Sequence, residues 1–128
     1  MGPTDVYEVA HLPAEAKVLV HGQVLTGMKP GDPPVQGKKN NPMMPLIWTR
    51  EYSAGKGNQI LTSTIGSGVD LESEGLRRLL VNACYWAVGR ADKIPEKTDV
   101  TYVGKYNPTW FGFGKFKPGM KTSDLELK

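Results

Sequence analysis

Residues 58–89 limit the possible folds more than any other stretch of the chain. Asn58-Gln59-Ile60-Leu61-Thr62-Ser63-Thr64-Ile65 is rich in apolar and β-branched side chains and reads as a strand. Gly66-Ser67-Gly68 is a turn. Beyond it Leu76, Leu79, Leu80, Ala83, Cys84, Trp86 and Ala87 recur at helical spacing, which predicts an amphipathic helix over 71–88 with a wide apolar face. Asp70 stands where the N-cap belongs, Glu72 and Glu74 fall in the first turn, and Gly89 is a natural stop. Arg77 and Arg78 begin the polar side. A strand–loop–helix unit is where α/β proteins usually place a ligand.

The preceding residues supply further strands. Val6 to Val9 is a short candidate, and in Ala16 to Leu25 the apolar Val18 and Val20 alternate with Lys17 and His21. Met43 to Tyr52 has Leu46, Ile47 and Trp48 at its centre, with Pro42 and Pro45 biasing its start towards an edge or a bulge. Ser53 to Gly57 suits a hairpin turn into the next strand. Thr26 to Asn41, with Pro30, Pro33 and Pro34, reads as a long loop, of the length seen in functional loops and insertions. The expected fold is α/β, a small, mostly antiparallel or mixed sheet with one main helix. After Arg90 the character changes. Residues 93–128 are expected to form an extended aromatic and glycine-rich arm, because Trp110, Phe111, Phe113 and Phe116 would be costly to expose together. The division expected is therefore 1–92 and 93–128.

Composition agrees with a compact centre and irregular arms: ten prolines and fifteen glycines accompany an apolar fraction of 39%. At 128 residues one domain is expected. The net charge of +3 is carried by the arm, which holds seven lysines and four acids. No arginine-rich face or zinc-ligand spacing goes with it, so nucleic-acid binding is not expected. A single cysteine excludes an intramolecular disulfide, and its place on the apolar helix face predicts a buried thiol. No apolar run is long enough to span a membrane. The N-terminus lacks the apolar segment of a signal peptide, so the cytoplasm is the default expectation.

Several phrases, taken together, resemble one family. They are Asp5-Val6-Tyr7-Glu8-Val9, Lys17-Val18-Leu19-Val20, Pro45-Leu46-Ile47-Trp48-Thr49-Arg50-Glu51-Tyr52, Thr62-Ser63-Thr64-Ile65-Gly66, and Glu74-Gly75-Leu76-Arg77-Arg78-Leu79-Leu80-Val81-Asn82-Ala83-Cys84-Tyr85-Trp86. Their order and spacing are similar to the C-terminal half of a trehalose-utilisation (ThuA-like) domain of planctomycete-type bacteria. The match covers roughly residues 5 to 90; Val103-Gly104-Lys105-Tyr106 and Phe111-Gly112-Phe113 also resemble the segment C-terminal to that domain. The resemblance implies part of a flavodoxin-like fold of the class I glutamine amidotransferase kind and a place in carbohydrate metabolism. Two departures go with it. The parallel βα units that open such a domain have no counterpart here, so the chain reads as a truncated piece. Many relatives carry a histidine after the Thr-x-Gly of the last strand, whereas here Gly66 is followed by Ser67 and Gly68.

The residues offer no assembled catalytic centre. His11 and His21 have no metal-ligand spacing, so no metal and no cofactor are expected. Ser67 lacks the flanks of a nucleophile elbow. The candidate ligand site is the turn Gly66, Ser67, Gly68 with Asp70, where free backbone N–H groups at a helix start hold sugar hydroxyls or anions. Trp48, Arg50, Trp86 and Trp110 could form a sugar platform, with Trp48 and Trp86 read as core residues and Trp110 as the best exposed candidate. Three functions stay open: an enzyme acting on a sugar or disaccharide derivative, a non-catalytic sugar-binding or assembly domain, and a hydrolase of another small-molecule class. An enzyme predicts a titratable pair at the end of strand 58–65; a binding module predicts an aromatic platform without one. One helix over about four strands leaves edges and faces uncovered, which predicts a homodimer or higher oligomer that joins sheets or exchanges the arm 106–116.

Overall fold

The structure is a computed structural model that describes residues 4–52, 57–110, 114, 115 and 117–125. Three antiparallel strands, β1 (Lys17–Gly22), β2 (Met44–Tyr52) and β3 (Asn58–Ser63), lie in the order β1-β2-β3. One helix, α1 (Glu74–Ala87), packs over β3. Short 3-10 turns flank it at Gly68–Glu72 and Ala91–Lys93, and another covers Thr122–Leu125. The chain is thus a small α/β unit with an antiparallel sheet and one main helix.

The first expected strand does not form. Val6 instead packs against the core, crossing β1 where Gly22 makes room for it. A Cβ at Gly22 would lie 2.9 Å from both Leu46 and Val6, so only glycine allows this approach. β1 is also shorter than the sequence predicts, ending at Gly22. The loop from Thr26 to Asn41 is tied into a short ribbon. Leu25 bridges Pro34, and Asn40 donates to the carbonyls of Val24 (2.8 Å) and Val35 (2.7 Å) while accepting from Val24 N (2.7 Å).

Strand register fixes the two faces of the sheet. Ile47, Thr49 and Glu51 share one face with their partners Ser63, Leu61 and Gln59. Trp48, Arg50 and Tyr52 share the other with Thr62, Ile60 and Asn58. Between β1 and β2 the ladder is irregular. Leu19 is an extra residue on β1 between the pairs Val18–Trp48 and Val20–Ile47, and Leu46 is passed over on β2. The Leu46 carbonyl accepts instead from Thr64 N at 2.9 Å, continuing the β3 side of the ladder.

The core is small: Val20, Leu46, Ile47 and Leu76 form one buried cluster, flanked by Val6, Leu61, Ile65, Leu71, Leu79 and Leu80. The whole chain exposes 10209 Å². The expected apolar face of α1 is only partly used. Leu76 is buried and Leu79, Leu80, Ala83 and Trp86 are half-buried, but Cys84 and Ala87 are exposed. Helical spacing gives a direction around the axis, not what lies there, and among the described residues β3 is an edge strand with no further strand under that side of the helix. The thiol is therefore not the core residue the spacing predicts.

The arm does lie across a surface as far as residue 108. It runs along the N-terminal half of α1, where Thr98 is buried with its hydroxyl donating to Asn82 Oδ1 at 2.6 Å. Arg77 organises it. Its Nε donates to the Val100 carbonyl (2.9 Å), its Nη1 to the carbonyls of Leu71 (2.7 Å) and Glu72 (2.9 Å) and to the Tyr102 hydroxyl (2.7 Å). The same guanidinium lies 4.1 Å from the centre of the Tyr102 ring, which stacks on Tyr106 with centroids 4.7 Å apart. Trp110 is 57% exposed, and Phe111, Phe113 and Phe116 lie outside the described residues.

Candidate functional site

The turn expected to hold a ligand is built around Asp70, which is not the N-cap of α1 but the third residue of the preceding 3-10 turn, its carboxylate closing back on that turn's cap, Ser67. The chain first makes the 3-10 turn Gly68–Glu72, and α1 begins only at Glu74, with Ser73 as its N-cap accepting from Leu76 N at 3.4 Å. Asp70 is fully buried, and its carboxylate folds back to accept from Gly66 N and Ser67 N, each at 3.0 Å. It also accepts from Thr4 N at 3.3 Å and from the Thr4 hydroxyl. Gly66, Ser67 and Gly68 are exposed, but two of the N–H groups that would hold a ligand are occupied. The Tyr106 hydroxyl donates to the Gly68 carbonyl at 2.5 Å, and Pro108 would lie 3.3 Å from a Cβ at Gly68, so glycine here admits the arm. The turn is a junction between the N-terminal segment, α1 and the arm.

Burial alone would raise the Asp70 carboxyl. The hydrogen bonds from the Thr4 hydroxyl and from Gly66, Ser67 and Thr4 N–H outweigh it and hold the group below its ordinary 3.8. A depressed folded value stabilises the fold at pH above the unfolded value, and that contribution is lost as pH falls through the folded one. Asp70→Ala is expected to cost about 2 kcal/mol at neutral pH, because it leaves Gly66 and Ser67 N–H without an acceptor. Urea unfolding at pH 7 and at pH 3 checks both halves: the difference between wild type and variant shrinks at the lower pH.

A larger feature lies elsewhere. Because α1 covers the β3 side only, an open groove of about 830 Å³ runs between its flank and the β1–β2 part of the sheet. Its floor is apolar, with Leu19, Leu61, Leu79 and Ala83. Trp86 stands at one side, its Nε1 donating to the Gln59 side-chain oxygen at 3.1 Å when that amide is turned to satisfy both its groups. Glu15, Lys17 and Glu51 border the sheet side, and Arg78 and Asn82 the helix side. Arg78 pairs with Glu74, and Asn82 Oδ1 is taken by Thr98. Among the described residues no protein acceptor is found for the Asn82 amide nitrogen.

Of the sequence candidates, Trp86 and Arg50 border the groove; the others lie elsewhere. Arg50 borders the groove, but its guanidinium sits 5.8 Å from the centre of the Tyr52 ring, on the sheet face away from α1. Gly66, Ser67, Gly68 and Asp70 form the separate junction, and Trp110 does not line the groove. Sequence reasoning missed Lys17, Glu51, Arg78 and Asn82. Strand alternation could have placed Lys17 and Glu51 on a common face, but nothing in the sequence shows that α1 sits off centre.

At the end of β3 a single carboxylate, Asp70, is present and its oxygens are engaged. Among the described residues no group of three or more His, Cys, Asp or Glu side chains is placed to hold a metal ion. No helix among them is long and apolar enough to cross a membrane. No family model, no curated protein and no solved structure matches this chain.

Proposed function

We propose that this chain is a carbohydrate-associated binding domain, the C-terminal half of a ThuA-like, flavodoxin-like unit, which holds a sugar or disaccharide derivative in the groove between α1 and the sheet without converting it. One observation carries this reading: the groove joins an apolar floor and an indole to side chains of both signs. Sugar rings present apolar faces that pack on aromatic and aliphatic surfaces, while their hydroxyls need paired donors and acceptors. Lys17 and Arg78 supply donors, Glu15 and Glu51 acceptors, and Asn82 a donor. The enzyme reading has less behind it, since the titratable pair it calls for at the end of β3 is not found among the described residues.

The test is a titration of the protein with trehalose and other disaccharides, monitored by tryptophan fluorescence and calorimetry. Saturable binding is expected, and Glu51→Ala, an exposed position outside the core, should weaken it about tenfold, the loss of roughly 1.4 kcal/mol. No binding at millimolar sugar, or turnover of the sugar, would overturn the reading.

A further inference from the structure

Among the described residues the buried polar side chains are Asp70 and Thr98. Asp70 serves the junction with the N-terminal segment. Thr98 belongs to the arm, and burying its hydroxyl is costly unless an acceptor meets it. That acceptor is Asn82 Oδ1, at 2.6 Å. The Thr98 carbonyl in turn accepts from Arg78 Nε at 3.4 Å. One arm residue thus touches two residues of α1, and both line the groove.

Thr98 reaches the groove from behind. It does not line the groove itself; it lies in a separate cleft under the arm with Glu74, Arg77 and Asp99, and Arg78 borders both spaces. A carboxamide carries its oxygen and its nitrogen on opposite sides. With Asn82 Oδ1 held on the arm side, Nδ2 is left to the groove. The rotation that exchanges the two ends is soft and roughly two-fold in an unrestrained asparagine. Here it is opposed. An amide turned over would donate to Thr98 Oγ1 and leave the buried O–H of that residue without an acceptor, since none besides Asn82 Oδ1 is found for it among the described residues.

We infer that Thr98 is a positioning residue for the groove: the docked arm holds Asn82 with its N–H groups towards the ligand and steadies Arg78 beside it. The inference rests on the reading of the groove as the ligand site, and it adds a polarity to that site. Arg78 and Asn82 make the helix side a wall of donors, whereas the carboxylates of Glu15 and Glu51 stand on the sheet side. The favoured ligand therefore turns acceptor oxygens towards α1. Arm docking and ligand binding are then linked, and each tightens the other by the same factor.

Nuclear magnetic resonance of the ligand-free protein tests the positioning directly. The side-chain amide signals of Asn82, assigned by their loss in Asn82→Asp, are expected to shift in Thr98→Val and to return in Thr98→Ser. With trehalose as the probe, Thr98→Val should raise the dissociation constant at least about fivefold, the lower end of coupling between sites, and Thr98→Ser should restore it. Asn82→Asp keeps an acceptor for Thr98 but turns an oxygen to the groove. It should weaken trehalose binding to a similar degree while proteolytic nicking between residues 98 and 106 stays at the wild-type rate. Saturating trehalose should slow that nicking in the wild type. Asn82 signals that do not move in Thr98→Val overturn the inference, and so does wild-type trehalose affinity in Thr98→Val or Asn82→Asp. A wild type that binds no disaccharide overturns the sugar reading alone, and the Asn82 signals then decide the positioning role.

Discussion

Replacing Ile47 with alanine is expected to remove about 3 kcal/mol of stability, the middle of the range for truncating a fully buried isoleucine. The side chain is wholly enclosed and sits where β1, β2 and α1 meet, in contact with the cluster of Val20, Leu46 and Leu76. With so few buried neighbours there is little else to close over the cavity. Domains of this size have about 5–15 kcal/mol in total, so the loss is a large share. Urea unfolding should show a lower midpoint with an unchanged slope. A loss below about 1 kcal/mol, the scale of an average substitution, would mean that the cluster is not the centre of the fold.

Arg77→Ala is expected to free the arm from α1 and to cost about 3 kcal/mol, from the loss of charge-assisted hydrogen bonds and of the stacking on Tyr102. The carbonyls of Leu71, Glu72 and Val100 lose their shared donor at once. Proteolytic nicking between residues 98 and 106 should accelerate strongly, while amide exchange in β2 and β3 changes little. Arg77→Lys should not rescue it. An ammonium cannot reach partners from both ends of a fork while lying flat on a ring. An arm that resists nicking in Arg77→Ala would show that Thr98 and Tyr106 hold the segment without it.

β2, β3 and α1 are readable in the sequence because each has a period that survives without knowledge of its surroundings. Leu76, Leu79, Leu80 and Ala83 mark a helix wherever it packs, and the turn at Gly66 to Gly68 comes from its glycines. The unreadable features depend on distance along the chain or on lateral placement. Arg77 reads as the beginning of a solvated face, because the tyrosine it stacks on lies 25 residues later. Asp70 reads as a capping residue, but Thr4, one of its partners, is 66 residues earlier. The groove and the exposure of Cys84 share a cause. α1 is displaced towards β3, and hydrophobic periodicity says how a helix is rotated, not where along a sheet it rests. Arg50 shows the opposite case: strict alternation with Thr49 and Glu51 already puts it on the other face.

Leu19, the surplus residue in β1, also makes the two edges of the sheet unequal. Adding a strand to a sheet needs a straight run of alternating backbone donors and acceptors. β1 is interrupted by the bulge and carries Lys17, whereas β3 is uncharged and pairs in unbroken register. One extra residue thereby gives a three-stranded sheet a direction of growth: it is blunt at one end and receptive at the other.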